Sequence, residues 1–213
     1  MKAYLSKTPE IIQSLYKNYT WCFTTDKKEL HLTFDDGPTP EITQWVLDIL
    51  KQYQAKASFF CIGKNIENHP GIFKQLLADG HAVGNHTYNH LNGSKTSSKS
   101  YIENVLLARK TMQQLDSTNS LQLFRPPYGR IKPSQGKKIR NLGYKIIMWN
   151  VLSADFDTSI SNETCLQNVL QNTENGSVIV FHDSEKAKER LYYALPKILD
   201  YYSKRGYAFK KIG

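Results

Sequence analysis

The sequence has little cysteine. Cys22, Cys61 and Cys165 are the only three in 213 residues, too few and too scattered for a disulfide framework. No CxxC is present to build a thiolate zinc knuckle. No apolar run approaches the ~20 residues that cross a bilayer. The opening stretch, Met1-Lys2-Ala3-Tyr4-Leu5-Ser6-Lys7-Thr8-Pro9-Glu10, lacks the apolar segment of a secretory signal. The expectation from that absence is a cytoplasmic protein, with export or peripheral association at a cell envelope as the other option. Repeats, low-complexity tracts and linker-like breaks are also missing. So are basic stretches interleaved with aromatics, so no nucleic-acid partner is expected.

What remains is ordinary globular composition. The chain is 40% hydrophobic and 22% charged, which argues against disorder and coiled coil. Its length fits one folded domain. The net charge of +9 comes from 28 basic and 19 acidic residues. The lysines are spread along the chain, with only short clusters at Lys137-Lys138 and Lys210-Lys211. A solvated basic surface is the simpler reading; contact with an anionic polymer is the other.

Hydrophobic spacing and turn residues divide the chain. Thr8-Pro9-Glu10 opens a helix over residues 8–19, with Ile11, Ile12, Leu15, Tyr16 and Tyr19 at helical spacing. Strands are expected at 30–34, 57–62, 81–84, 122–124, 144–149, 177–181 and 207–210. Helices are expected after Thr39-Pro40-Glu41, from Pro70 to Gly80, over 100–115, from Pro133 to Gly143, over 161–170 and over 185–203, the last kinked at Pro196. This alternation predicts an α/β protein with a mainly parallel sheet. An N-terminal helical extension (1–27) would pack on a barrel-like domain (28–213).

Five polar motifs fall just after strands, where the loops of a barrel converge. Asp35 and Asp36, in Thr33-Phe34-Asp35-Asp36-Gly37-Pro38, are neighbouring carboxylates that repel unless they share a cation or a proton. An Asp-rich turn is the bland alternative. His86 and His90 are four apart and on a helical turn would face one side, able to share a metal or simply lie on the surface. Asp35 or Asp36 would complete a set of two histidines and one aspartate that leaves coordination positions open, as a catalytic zinc needs. Arg125, held by Pro126-Pro127 before Tyr128-Gly129, could grip a carboxylate through two bonds or be a surface arginine on a proline turn. Trp149 to Asp157 supplies loop acids beside aromatics. His182 stands at the mouth of an apolar strand, as an acid, a base or a cap.

Together these motifs resemble the polysaccharide deacetylases with a NodB homology domain, also called carbohydrate esterase family 4. The match is close at Thr33–Pro38, at His86-Thr87-Tyr88-Asn89-His90 and at Arg125-Pro126-Pro127-Tyr128, and looser around Asp155 and His182. The resemblance implies an irregular (β/α)7-type barrel. It implies metal-dependent removal of N-acetyl, sometimes O-acetyl, groups from sugars of a peptidoglycan or chitin type. Asp36, His86 and His90 would hold one divalent metal: Zn2+ first, with Co2+, Ni2+ or Mn2+ also suited to that set. Asp35 would be the general base, Arg125 its orienting partner and the Tyr128 backbone N–H an oxyanion donor. His182 would be the general acid, tuned by Asp155, with Asp157 as a substitute. The family often carries Asp where Leu152 stands and Trp where Phe156 stands. A catalytically silent sugar-binding protein on the same scaffold is the reading from another class.

Overall fold

Strand β1 (Glu29–Asp36) is the axis of the molecule. The computed structural model describes residues 4–116 and 122–213. Residues 1–3 of the expected extension lie outside the described residues. Along the chain come α1 (Glu10–Leu15), β1, α2 (Ile42–Gln52), β2 (Ser58–Cys61), α3 (Gly63–Asn68), α4 (Pro70–Ala78) and β3 (Ala82–Asn85). There follow α5 (Ser98–Leu115), β4 (Leu123–Phe124), α6 (Pro133–Asn141), β5 (Lys145–Ile146) and β6 (Val151–Leu152). The chain finishes with α7 (Asn162–Leu170), β7 (Val178–His182), α8 (Lys188–Ser203) and β8 (Ala208–Phe209). The sheet order is β5-β4-β3-β2-β1-β7-β6, with β8 paired to the start of β1. Every strand pair is parallel. The result is a single curled parallel sheet wrapped by helices, an irregular (β/α)7 barrel.

Strand alternation sorts the side chains. In β1, Leu30, Leu32 and Phe34 join the main core beneath the helices, with Val46, Leu50, Ile198 and Leu199. The intervening Thr33 and Asp35 meet Arg125 inside the curl. In β2, Phe59 packs in the helix-side core while Phe60 joins Ala82, Leu123 and Val178 in a separate cluster. The helix-side face is thus apolar along β1, and the face inside the curl carries the polar groups at the carboxyl end of that strand.

The two ends of the sheet, β5 and β6, are consecutive in sequence, and the N-terminal segment bridges them. On one side the Thr8 N–H donates to the Asn150 carbonyl (2.9 Å) and the Leu152 N–H to the Ser6 carbonyl (2.8 Å). On the other, the Thr20 N–H donates to the Ile146 carbonyl (2.9 Å) and the Met148 N–H to the Thr20 carbonyl (2.7 Å). Trp21 fills the pocket between, with Phe124, Ile139 and Tyr144. Backbone that would otherwise be left as a bare edge is thereby paired.

The structure departs from the expected elements in instructive places. Helix α1 covers only Glu10–Leu15, because Tyr16 turns out of the helix and the chain must extend at Thr20 to pair. Thr8 does not cap it; its hydroxyl donates to the Trp149 carbonyl at 2.9 Å. Helix α2 begins at Ile42, after Glu41 at φ 63°. The strand expected over 144–149 is cut to Lys145–Ile146, since Arg125 takes the carbonyls of Ile147 and Met148. Helix α3 had no sequence expectation at all.

Deleting residues 1–22 removes four of these backbone bonds and the Trp21 side chain. At ~1 kcal/mol per bond and roughly 2–4 °C per kcal/mol, the unfolding midpoint should fall by about 10 °C or more. Calorimetry showing an unchanged midpoint would contradict the bridging role.

Candidate active site

Neighbours on a strand face opposite ways, so Asp35 and Asp36 should not share a cavity. They do because Asp36 adopts φ 84°, in the left-handed region. That turn is held from outside: the Asn65 amide of α3 donates to the Asp36 carbonyl at 2.8 Å. Gly37 follows, with its N–H donating to Asp183 Oδ1 at 3.0 Å. A Cβ at Gly37 would stand 1.9 Å from Asp183 Oδ2, so only glycine fits.

Asp35 is buried and faces Arg125, which is fully buried. Arg125 Nη1 donates to Asp35 Oδ1 and to Thr33 Oγ1, both at 2.7 Å. Its Nε donates to the Ile147 carbonyl (3.1 Å) and its Nη2 to the Met148 carbonyl (2.9 Å). The guanidinium lies over the Phe60 ring, 4.1 Å from its centre. Burial alone would raise the Asp35 carboxyl, but Arg125, then His86 and His182, outweigh it and leave it below the ordinary carboxylate range.

His86 and His90 do not sit on a helical turn. They flank a loop after β3 with Thr87 at φ 63° and His90 at φ 54°. The loop is pinned at several points. The Gly63 and Lys64 N–H groups at the start of α3 donate to the Thr87 and Tyr88 carbonyls. Asn85 Oδ1 accepts from the Thr87 N–H, and Asn104 Oδ1 from the Tyr88 and Asn89 N–H groups. His86 Nδ1 is 2.8 Å from the Arg125 carbonyl. A carbonyl only accepts, so Nδ1 carries the proton and Nε2 keeps its lone pair. Burial pushes the His86 imidazolium down to about 4 and lowers that of His90, so both rings are neutral at pH 7.

Asp36, His86 and His90 present one ligand atom each, all within 4.8 Å of one another. Asp36 Oδ1 stands 3.2 Å from His90 Nε2 and 3.8 Å from His86 Nε2. It is buried yet accepts no hydrogen bond of proper geometry. An orphaned carboxylate oxygen beside the Nε2 atoms of two neutral imidazoles is the donor set a divalent cation satisfies. The His86 tautomer is the kind of outer support such a site needs.

His182 ends β7, in register beside Asp35 of β1. Its Nδ1 is 2.7 Å from Asp155 Oδ1, and its backbone N–H donates to Asp155 Oδ2 at 2.7 Å. Asp157 is engaged elsewhere, accepting from Tyr4 and Ser159. Burial would lower the His182 imidazolium, but the Asp155 charge and hydrogen bond, with Asp36 and Asp35 behind, raise it to about 9. With Nδ1 committed, Nε2 is the remaining donor. Tyr128 projects from the loop after β4 at φ 60°, its ring 4.5 Å from that of His90.

These groups meet in one cavity of about 350 Å³, lined by Asp35, Asp36, His86, His90, Tyr128 and His182, with Trp149, Leu152, Phe156, Val180, Lys186 and Tyr4. Arg125 and Asp155 support it from behind. Among the described residues, five of the seven non-glycine positive-φ positions belong to its loops: Asp36, Thr87, His90, Tyr128 and Ala154. Local strain concentrated in this way is a mark of a functional site. Sequence reasoning missed Asn65, Asn85, Asn104, Asp183 and Tyr4. Only Asn85, next to His86, and Asp183, next to His182, carried any local signal.

The polysaccharide deacetylase family profile matches residues 23–147. A peptidoglycan-N-acetylglucosamine deacetylase of Bacillus cereus is 35% identical over 191 residues, 89% of each chain. A chitooligosaccharide deacetylase of Azorhizobium caulinodans is 31% identical over 160 residues, 75% of this chain and 76% of that one. The crystal structure of a peptidoglycan N-acetylglucosamine deacetylase bound to 4-naphthalen-1-yl-N-oxidanyl-benzamide superposes with a TM-score of 0.87 at 34% identity, covering 96% of this chain and 95% of that one.

Two outcomes follow from the electrostatics. Arg125→Ala leaves a buried carboxylate unpaired and should cost about 3–5 kcal/mol in denaturant unfolding at pH 7. Because the Asp35 carboxyl is lowered, that difference should shrink as pH falls through the carboxylate range. A raised imidazolium has the opposite sign: His182 stabilises the fold fully below ~6.5 and loses this as pH rises through about 9. An NMR titration should place His182 near 9 and, in Asp155→Asn, well below that, because the partner that chiefly offsets burial is gone. An unchanged midpoint in that variant would refute the pairing.

Proposed function

The chain belongs to the polysaccharide deacetylase family, and we infer from that premise what each group in the cavity does. The protein is a hydrolase that removes acetyl groups from N-acetylated sugars and releases acetate. We propose the N-acetylglucosamine units of a glycan strand as its substrate, peptidoglycan first and chitin-type oligomers second, in line with the relatives it is similar to over most of its length.

One observation carries the assignment of roles. Two titratable groups face one cavity with their proton affinities pushed apart, Asp35 down and His182 up to about 9. At neutral pH the first is a carboxylate and the second an imidazolium, the forms a base and an acid must have before the reaction begins. Asp36, His86 and His90 would hold a divalent cation, zinc by preference for this donor set. When bound, such a cation polarises the amide carbonyl and makes water more acidic.

The residues of the chain do the rest. Asp35 takes the proton of the attacking water, aimed by Arg125 and kept ionised by it. The oxyanion that forms at the former carbonyl meets the Tyr128 N–H, one donor of a kind worth about 3 kcal/mol. His182 gives the Nε2 proton to the departing amine nitrogen, without which the C–N bond cannot break to a neutral amine. Asp155 holds the ring and its charge. The balance is one water and one acetamide consumed, one acetate and one protonated amine released, with the proton taken by Asp35 restoring the imidazolium of His182. A silent sugar-binding protein would have no need of an ionised base, an acid and a ligand trio in one cavity.

Acetate release from N-acetylated glucosamine oligomers and from peptidoglycan strands tests this. Asp35→Asn and His182→Ala should each lower kcat/KM by roughly 100-fold to 10,000-fold, while circular dichroism shows the fold retained. Full activity in Asp35→Asn would overturn the mechanism.

A further inference from the structure

Besides the chemistry-bearing groups and Lys186, the cavity is lined by apolar side chains: Trp149, Leu152, Phe156, Val180 and the ring of Tyr4. Tyr4 comes from the N-terminal segment, ahead of the part matched by the family profile, which begins at residue 23. Its placement is over-determined. Beyond it, the Ser6 carbonyl and the Thr8 N–H are bonded to the edge of the sheet at Leu152 and Asn150. Its hydroxyl donates to Asp157 Oδ2 at 2.5 Å. Its ring stands edge-on to Phe156, 5.4 Å between centres at 69°, and Phe156 stands edge-on to His182, 5.1 Å at 76°. Tyr4 is thus separated by a single ring from the group that protonates the leaving amine. Tyr4 is the ring packed against Phe156 on the side of the N-terminal segment.

We propose that Tyr4 is a specificity-determining residue: anchored by Asp157 and the bonded segment behind it, it closes the apolar end of the cavity and sets the longest acyl group admitted. This rests on the deacetylase reading above. The substrate offers two kinds of surface, a polar sugar and an apolar acyl tail. The carbonyl carbon must lie within reach of Asp35 and His182, so the tail has the apolar wall as its partner. A wall fixed at both ends does not yield to an added methylene, and overpacking penalises the longer tail. The ring sets the limit; the hydroxyl only holds the ring.

The test compares glucosamine oligomers carrying N-acetyl, N-propionyl and N-butyryl groups. The readout is the ratio of kcat/KM for propionyl to that for acetyl. In the wild type it should be low, and Tyr4→Ala should raise it by about tenfold or more, the range one methylene commands in a shaped pocket. Tyr4→Phe should keep it within about twofold of the wild-type ratio. A merely structural role would lower both rates together and leave the ratio unchanged, which would overturn the proposal. Binding of acetate, propionate and butyrate to the same variants, followed by NMR, gives the same ranking without turnover. If the wild type released no acetate the deacetylase reading would fail, and the binding order would still decide the role of Tyr4: an identical order in wild type and Tyr4→Ala refutes it.

Discussion

The buried ion pair between Arg125 and Asp35 is the constraint around which the rest is arranged. A guanidinium with no solvent contact is costly unless its donors are used. Here the Asp35 carboxylate, the Thr33 hydroxyl and the carbonyls of Ile147 and Met148 use them. Those partners come from β1 at the centre of the sheet and from the segment after β5 at its end. The arginine thus ties the curl together across its interior while its own carbonyl fixes the tautomer of His86. Stability and chemistry meet in one side chain.

The second constraint is backbone geometry. Two adjacent aspartates can face one cavity only if the strand ends between them, and the left-handed Asp36 does this. The cost is borne by surrounding hydrogen bonds: Asn65 on the Asp36 carbonyl and Asp183 on the Gly37 N–H. Asp183 also donates its N–H to the Asp35 carbonyl at 3.1 Å, linking the end of β1 that carries Asp35 to the end of β7 that carries His182. The repulsion between neighbouring carboxylates is relieved by giving them different partners, an arginine for one and, for the other, the cation that Asp36, His86 and His90 would hold.

Much of this was legible in the sequence, for physical reasons. Strands such as 58–61 and helices such as 162–170 are bounded by turn residues and carry a clear period, so they can be read one element at a time. Residues placed just after successive strands meet at one end of a parallel barrel, which brings Asp35, Asp36, His86, His90 and His182 to one cavity. What was not legible depends on distant partners. The strand expected to reach Trp149 stops early because Arg125, from the loop after β4, claims its carbonyls. The histidines come together through a loop pinned by α3 and Asn104, not through helical spacing. Tyr4 reads as nothing in a terminal stretch until Asp157 and Phe156 are placed beside it.

A crystal structure of the zinc-loaded protein with acetate, mapped at the zinc edge, decides which of the two aspartates binds the metal. One anomalous peak is expected, bounded by Asp36, His86 Nε2 and His90 Nε2, with Asp35 outside the coordination sphere and still bonded to Arg125. A peak ligated by Asp35, with Arg125 released from it, would contradict the division of labour between the two aspartates on which everything else rests.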